Sequence, residues 1–234
     1  MLRILHTNDF HGALDERREG VLAGLREKVD LYFDCGDCIK SGNLAVPLKP
    51  DPVWPRLAAL RCTASVPGNR ESHPLEGPFR MKLAGAEHPI LCGNMVRRSD
   101  GERVLPGTML IEANGLRVGV VAVMVAMVTS RMATRVASQF LWTEPLATAT
   151  ELAREVRPHV DCLIALTHIG FRKDMELAAR CPEIDLILGG HSHTVLEQAE
   201  LVGKTAVCQA GSHGRFAGVY GWDGKLVEYG LRSM

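Results

Sequence analysis

The sequence predicts an α/β (α+β) fold in which two mixed β-sheets pack as a sandwich, flanked by helices on the outer faces. Two observations carry that prediction. Short apolar runs bounded by Gly, Asn, Asp or Pro alternate with helix-like segments, the pattern of parallel strands joined by crossovers. Two other stretches, 104–128 and 195–231, pass from strand to strand with no helix between them, the pattern of antiparallel pairs. Both kinds occur in one chain of 234 residues, 46% hydrophobic and 23% charged. That composition suits a single domain over residues 1–234 with covered sheets.

Taken in order, 2–7, 31–35, 62–66, 90–92, 162–167 and 184–188 read as buried strands. Helical spacing runs over 16–28 and over 145–157, the latter with Thr143 as cap and Pro145 in the first turn. A shorter helix is expected at 175–180. The proline-rich piece 47–55 reads as a loop leading into a helix over 54–60. Asn114-Gly115 and Asp223-Gly224 have the chemistry of hairpin turns. The chain shows no internal repeat, low-complexity segment or linker.

Charge and composition exclude several functions. The 27 basic and 27 acidic residues cancel and are scattered, so no nucleic-acid or anionic-lipid surface is legible. The longest apolar run, 118–128, is well short of the ~20 residues that span a bilayer. Met1 leads straight into Leu2-Arg3-Ile4 with no secretory pattern, so a cytoplasmic location is expected. Seven cysteines, odd in number and dispersed, are expected as reduced thiols. Cys35-Gly36-Asp37-Cys38 forms a C-x-x-C, but no second such pair completes a four-thiolate zinc site. Two buried thiols beside a functional Asp is the favoured reading, with thiol redox control of that Asp as its rival.

The chemistry concentrates where strands end. Gly190-His191-Ser192-His193 directly follows an apolar run, and two imidazoles on such a loop suit a metal better than a core. Asp9-Phe10-His11, Gly36-Asp37, Gly68-Asn69 and Thr167-His168 repeat the arrangement upstream. Singly, each Asp or Asn could serve a turn and His168 could be a hydrogen-bonded core residue. Recurrence at five strand ends in order favours a common site, since ligand sites form where strand-end loops converge. Asp9, His11, Asp37, Asn69, His168, His191 and His193 are too many for one tetrahedral zinc and about right for two ions sharing a carboxylate.

This series resembles the calcineurin-like metallophosphoesterase superfamily. More narrowly, residues 5–12 (LHTNDFHG) and 209–214 (QAGSHG) are similar to the catalytic domain of its 5′-nucleotidase branch. The resemblance implies a dinuclear centre with Asp9, His11 and His193 on one metal, Asn69, His168 and His191 on the other, and Asp37 between them. Manganese is the leading candidate, with iron, zinc or cobalt compatible with the same ligands. Two such cations lower the pKa of a shared water and clamp phosphoryl oxygens, giving hydrolysis of a phosphomonoester, nucleotide or cyclic or diester phosphate. The partner implied is thus a small phosphorylated substrate; the residues leave self-association open.

The pattern also breaks. The family continues Gly-Asn with His-Glu, whereas this chain reads Gly68-Asn69-Arg70-Glu71-Ser72-His73. Arg70 takes the place of the phosphate-contacting acid; it can clamp phosphate but gives up no proton near neutrality. His73, at the position of the branch's Asp, is the candidate replacement acid. Asn94 and His213 match substrate-proximal positions. The resemblance to the branch covers its catalytic domain only; the branch's C-terminal nucleoside-binding domain is expected to be missing, and no nucleoside contacts carry over. The rival reading is a catalytically weak, metal-bound domain that binds phosphorylated ligands or partners.

Overall fold

A computed structural model describes all residues, 1–234. The first seven strands are β1 (Leu2–Thr7), β2 (Leu31–Asp34), β3 (Ala64–Ser65), β4 (Met95–Arg97), β5 (Thr108–Ala113), β6 (Leu116–Met124) and β7 (Phe140–Trp142). They are followed by β8 (Cys162–His168), β9 (Leu186–Gly189), β10 (Glu200–Val202), β11 (Thr205–Cys208), β12 (Phe216–Trp222) and β13 (Leu226–Ser233). The helices are α1 (Glu16–Arg26), α2 (Val53–Ala59), α3 (Glu76–Leu83), α4 (Pro145–Val156) and α5 (Phe171–Arg180).

Two mixed sheets form, as the sequence predicts. One has the order β13-β12-β1-β2-β3 and the other β10-β11-β9-β8-β6-β5, with β4 and β7 pairing separately. In the first sheet β1, β2 and β3 run parallel out to one edge, with the β12–β13 hairpin antiparallel on the other side. In the second β11, β9, β8 and β6 run parallel, with antiparallel β10 and β5 at the edges.

Alternation along the strands explains the layers. In β8, Cys162, Ile164 and Leu166 face the 26-residue core between the sheets, with Leu2, Ile4 and Phe33 opposite. Leu163 and Ala165 face the other way, onto Leu146, Leu152 and Leu177 of α4 and α5. Tyr32 and Leu5 likewise face Leu22 of α1 and Trp54 and Leu57 of α2. Strands covered on both faces read as continuous apolar runs, which is why they were legible.

Several expectations need correction. The stretch 195–231 forms the expected antiparallel pairs β10–β11 and β12–β13, but these are divided between the two sheets, and β11 also pairs parallel with β9. The expected strand at 90–92 contracts to one bridge, Ser65 with Ile90. Glu144, not Thr143, caps α4: its side chain accepts from the Ala147 N–H at 2.7 Å, while the Thr143 hydroxyl pairs with Thr148 at 2.9 Å. Helix α5 begins at Phe171, because its buried polar Asp174 and exposed Arg172 and Lys173 hide the first turn from an apolar pattern. Helix α3 has no counterpart in the sequence expectations, because Gly77 and Pro78 in its first turn mask it.

Candidate metal centre

The ends of β1, β2, β3, β8 and β9 converge at one edge of the sandwich, where both sheets contribute loops. Parallel strands deliver their carboxyl ends to the same side, so five separate sequence motifs become one site. The loops are laced together: the Asp9 N–H donates to the Gly36 carbonyl and the His11 N–H to the Asp37 carbonyl, both at 2.8 Å, and the His213 N–H donates to the Asp9 carbonyl at 2.7 Å.

The backbone is strained where the side chains converge. Asp9, His11, Asp37, His191, His193 and His213 all have φ between 51° and 75°. Non-glycine residues rarely adopt this region, and each such residue costs on the order of 1 kcal/mol or more unless the surroundings enforce it. Glycines permit the close approach. A Cβ on Gly68 would lie 2.2 Å from Asp37 Oδ1, and one on Gly190 would lie 2.6 Å from the Cys35 carbonyl oxygen and 3.0 Å from Asp9 Oδ2.

Two donor groups result. In the first, His193 Nε2 lies 3.3 Å from Asp9 Oδ1, His11 Nε2 lies 3.6 Å from it, and the two imidazole nitrogens are 2.8 Å apart. In the second, His168 Nε2 lies 3.6 Å from Asp37 Oδ1 and 3.3 Å from Asn69 Oδ1, which His191 Nδ1 approaches to 3.0 Å. Asp9 is close enough to belong to both groups, alongside Asp37 and His168 in the second. All seven residues expected from the sequence are therefore brought together.

This donor set fits divalent cations. Asp9 is fully buried, yet its Oδ1 has no hydrogen-bond partner, a costly arrangement for a carboxylate unless a cation meets it. His168 Nδ1 lies 2.6 Å from the Cys35 carbonyl, which fixes the proton on Nδ1 and turns the Nε2 lone pair toward Asp37 and Asn69. Asp9 Oδ2 accepts from Asn8 Nδ2 at 2.8 Å and from the His191 N–H at 2.9 Å.

Charge is balanced by the same geometry. Burial pushes the Asp9 carboxyl up, but the nearby His11 and His168 rings, with hydrogen bonds from Asn8 and the His191 backbone, hold it below the usual carboxylate range. Burial pushes His168 down, and the Asp37 and Asp9 charges outweigh it and raise it.

Supporting residues were missed by sequence reading. Glu71, 1% exposed, accepts from the Asp37 and Gly68 N–H groups at 2.8 Å each and from the Ile39 N–H at 3.0 Å, fastening the Asp37 and Asn69 loops together. Lys82 on α3, fully buried, donates to the carbonyls of Gly42, Asn43, Arg70 and Ser72 at 2.5–3.0 Å. Thr167 and Gln209 both donate to the buried Asp174, and Ser192 donates to Gln209, so a polar chain supports the loop bearing His191 and His193.

The remaining expected residues divide. His213 packs its ring against His11, with centroids 4.8 Å apart, and against His193 at 5.7 Å. Burial, then the His11, His193, Arg215 and Arg70 charges, push it below an ordinary histidine. Arg70 donates its backbone N–H to Asp37 Oδ1 at 2.7 Å and one guanidinium N–H to the Lys40 carbonyl at 3.0 Å. Asn94 stands apart: it is fully buried, and its amide donates to the Met124 and Thr143 carbonyls and accepts the Met124 N–H. Its polar atoms are thus committed to the fold.

His73 is buried, and its Nδ1 accepts the Leu75 N–H at 3.0 Å. Burial, then the Lys82 charge, push it below the ordinary histidine range. The Cys35 thiol donates to the Leu188 carbonyl in the inter-sheet core, while the Cys38 thiol faces Glu71 in the other layer. Both are free, and burial raises both thiols well above their ordinary range, which disfavours thiolate.

A sandwich with strand-end loops carrying paired carboxylates and converging imidazoles defines a hydrolase of the metallophosphoesterase class. The family model for calcineurin-like phosphoesterases matches residues 2–195, and the chain belongs to that family. It is 28% identical over 267 residues to the trifunctional nucleotide phosphoesterase protein YfkN of Bacillus subtilis, a match covering 93% of this chain and 18% of that protein. It is 28% identical over 221 residues to human 5′-nucleotidase, covering 83% of this chain and 38% of the relative. The chain thus spans well under half the length of these two curated relatives. The crystal structure of calcineurin-like phosphoesterase YfkN from Bacillus subtilis superposes with a TM-score of 0.77 at 21% identity, covering 99% of this chain and 90% of that one. The 5′-nucleotidase precursor from Thermus thermophilus gives 0.76 at 21% identity, covering 100% and 54%. No helix is long and apolar enough to cross a membrane.

Proposed function

We propose that residues 1–234 form one catalytic unit that hydrolyses small phosphoesters of the nucleotide type, using two divalent metal ions. The observation that carries this is the buried, unpartnered Asp9 Oδ1 facing His11 and His193 beside a second group of Asp37, Asn69, His168 and His191. Asp9, His11 and His193 would hold one ion and Asn69, His168 and His191 the other, with Asp37 as bridging carboxylate and Asp9 close to both. When bound, the ions supply positive charge to phosphoryl oxygens and make a water acidic enough to serve as nucleophile. Manganese is the first metal to test.

The chain's own residues do the rest. Asp9 and Asp37 are held by backbone N–H groups, so the carboxylates are positioned before substrate arrives. Arg70 offers the guanidinium N–H groups not used by Lys40 to the phosphoryl oxygens, an electrostatic clamp that stays charged throughout. His213, its ring packed beside His11 and His193 and held below the ordinary histidine range, adds a neutral imidazole to the rim. No proton donor of suitable strength faces a leaving group: Arg70 keeps its proton, and His73 is neutral near pH 7 with Nδ1 committed to Leu75. We therefore assign His73 a binding role in place of the acid role expected from sequence.

Support for the nucleotide class comes from the relatives, whose names are nucleotide phosphoesterase and 5′-nucleotidase. The test is hydrolysis of nitrophenyl phosphate and a nucleoside monophosphate by manganese-loaded protein. Turnover well above that of Asp37→Ala is expected. Phosphate-analogue binding with turnover no greater than the variant's would instead identify a phospho-ligand-binding domain.

A further inference from the structure

We propose that the cleft between Leu44, His73-Pro74 and the segment 127–137 binds the leaving group of the phosphoester, and that it takes a flat aromatic ring system. The inference rests on the phosphoesterase reading and assigns the substrate's second half.

The cleft has a volume of ≈ 360 Å³ and is walled by Leu44, Pro74, Met127, Val128 and Ala137, with His73 among them. A dry apolar cavity of about 150 Å³ already accommodates benzene, so this one has room for a fused bicyclic ring. Methionine adapts its shape to a flat ring and makes favourable sulfur–aromatic contacts. His73 gives the wall one fixed polar point: because Nδ1 accepts the Leu75 N–H, the neutral ring carries its proton on Nε2 as a donor.

Position connects this cleft to the metal-type ligands. Asn43 lines it, and Asn43 Oδ1 accepts from Asn69 Nδ2 at 2.9 Å, while Asn69 Oδ1 faces His168 and His191. One asparagine side chain therefore separates the two regions. Ser72, also on the wall, donates its hydroxyl to the Asn69 carbonyl at 2.9 Å. Lys82 fixes the carbonyls of Asn43 and Ser72 in the wall and of Arg70 at the clamp, so cleft and clamp are held as one body. The larger cleft of ≈ 720 Å³ is a poorer choice, because none of the metal-type ligands lines it and Asp100, Glu102, Arg103, Glu144 and Glu151 give it charged walls that suit an apolar ring badly.

The test compares two non-hydrolysable probes, methylphosphonate and (2-naphthylmethyl)phosphonate, by calorimetry on manganese-loaded protein. The wild type is expected to bind the naphthyl probe about tenfold or more tighter, the gain from burying one face-sized apolar surface after binding costs. Ala137→Trp, at an exposed position, fills the cleft and should remove most of that preference while leaving methylphosphonate affinity within about twofold. Leu44→Asp, also exposed, should act in the same direction. Equal affinity for both probes in the wild type overturns the proposal, as does a variant that weakens both probes alike. An enzyme that hydrolyses nitrophenyl phosphate but shows no naphthyl preference loses only the cleft assignment; a manganese-loaded protein with neither hydrolysis nor phosphonate binding loses both readings.

Discussion

Glu71 shows how much the site depends on a residue that touches no substrate. Its carboxylate accepts three backbone N–H groups and faces the Cys38 thiol, so every lone-pair direction is used. In Glu71→Gln an amide NH₂ must confront at least one of those donors. A loss of about 2–3 kcal/mol is expected, read from denaturant unfolding of the metal-free protein. Asp34, three residues before Asp37, behaves oppositely. Burial pushes its carboxyl up to about 8, only partly offset by the Thr7 hydroxyl and the Gly36 N–H, so the folded protein carries it protonated where the unfolded chain does not. The raised value gives a definite sign. The contribution to stability is complete below the unfolded value near 4 and is lost as pH rises through about 8. Asp34→Asn, an isostere of the protonated acid, should flatten the fall in melting temperature of the metal-free protein between about pH 5 and about pH 8. An unchanged slope would mean that Asp34 ionises normally. Arg70→His tests the clamp and the missing acid together: faster turnover of alkyl phosphates is expected, with little change on nitrophenyl phosphate.

At the scale of elements, the strands were legible and their supports were not. Leu2–Thr7 and Cys162–His168 are apolar runs covered on both faces, and the ligands follow directly at their ends, so the seven metal-type residues could be collected without coordinates. Helix α3 left no such trace. Its inward residues are Phe79 and Lys82, and a lysine is a surface residue unless four carbonyls happen to converge on its ammonium. Those carbonyls come from loops 10 to 40 residues away, a distance at which no local pattern operates. Strands β4 and β7, three residues each, are too short for alternation to register. His73 and Asn94 show the same limit from the other side: their types suggest chemistry, but only packing reveals that Leu75 occupies one and Met124 the other. Lys82→Met should strip the donor from the carbonyls of Gly42, Asn43, Arg70 and Ser72, costing about 3 kcal/mol or more. Manganese affinity should fall with it, because the Asn69 loop loses its anchor; unchanged affinity by titration would separate α3 from the site.

The whole molecule is a sandwich whose two sheets each hold part of one donor set, β1, β2 and β3 from one and β8 and β9 from the other. Metal binding should therefore stabilise the sandwich as a unit. At a hundredfold excess over the dissociation constant the gain is about 2.7 kcal/mol, seen as a rise in melting temperature that chelator reverses. With no net charge on the chain, the proposed function requires the positive charge for an anionic substrate to come from Arg70 and from the ions the donor set would hold. The measurement that bears most directly on this account is metal content and phosphoesterase turnover on the same manganese-loaded sample, wild type beside Asp37→Ala. Two ions per chain with hydrolysis of nitrophenyl phosphate, and loss of both metal and turnover in the variant, is the expected result. Wild-type turnover no greater than that of Asp37→Ala at full metal loading would contradict it.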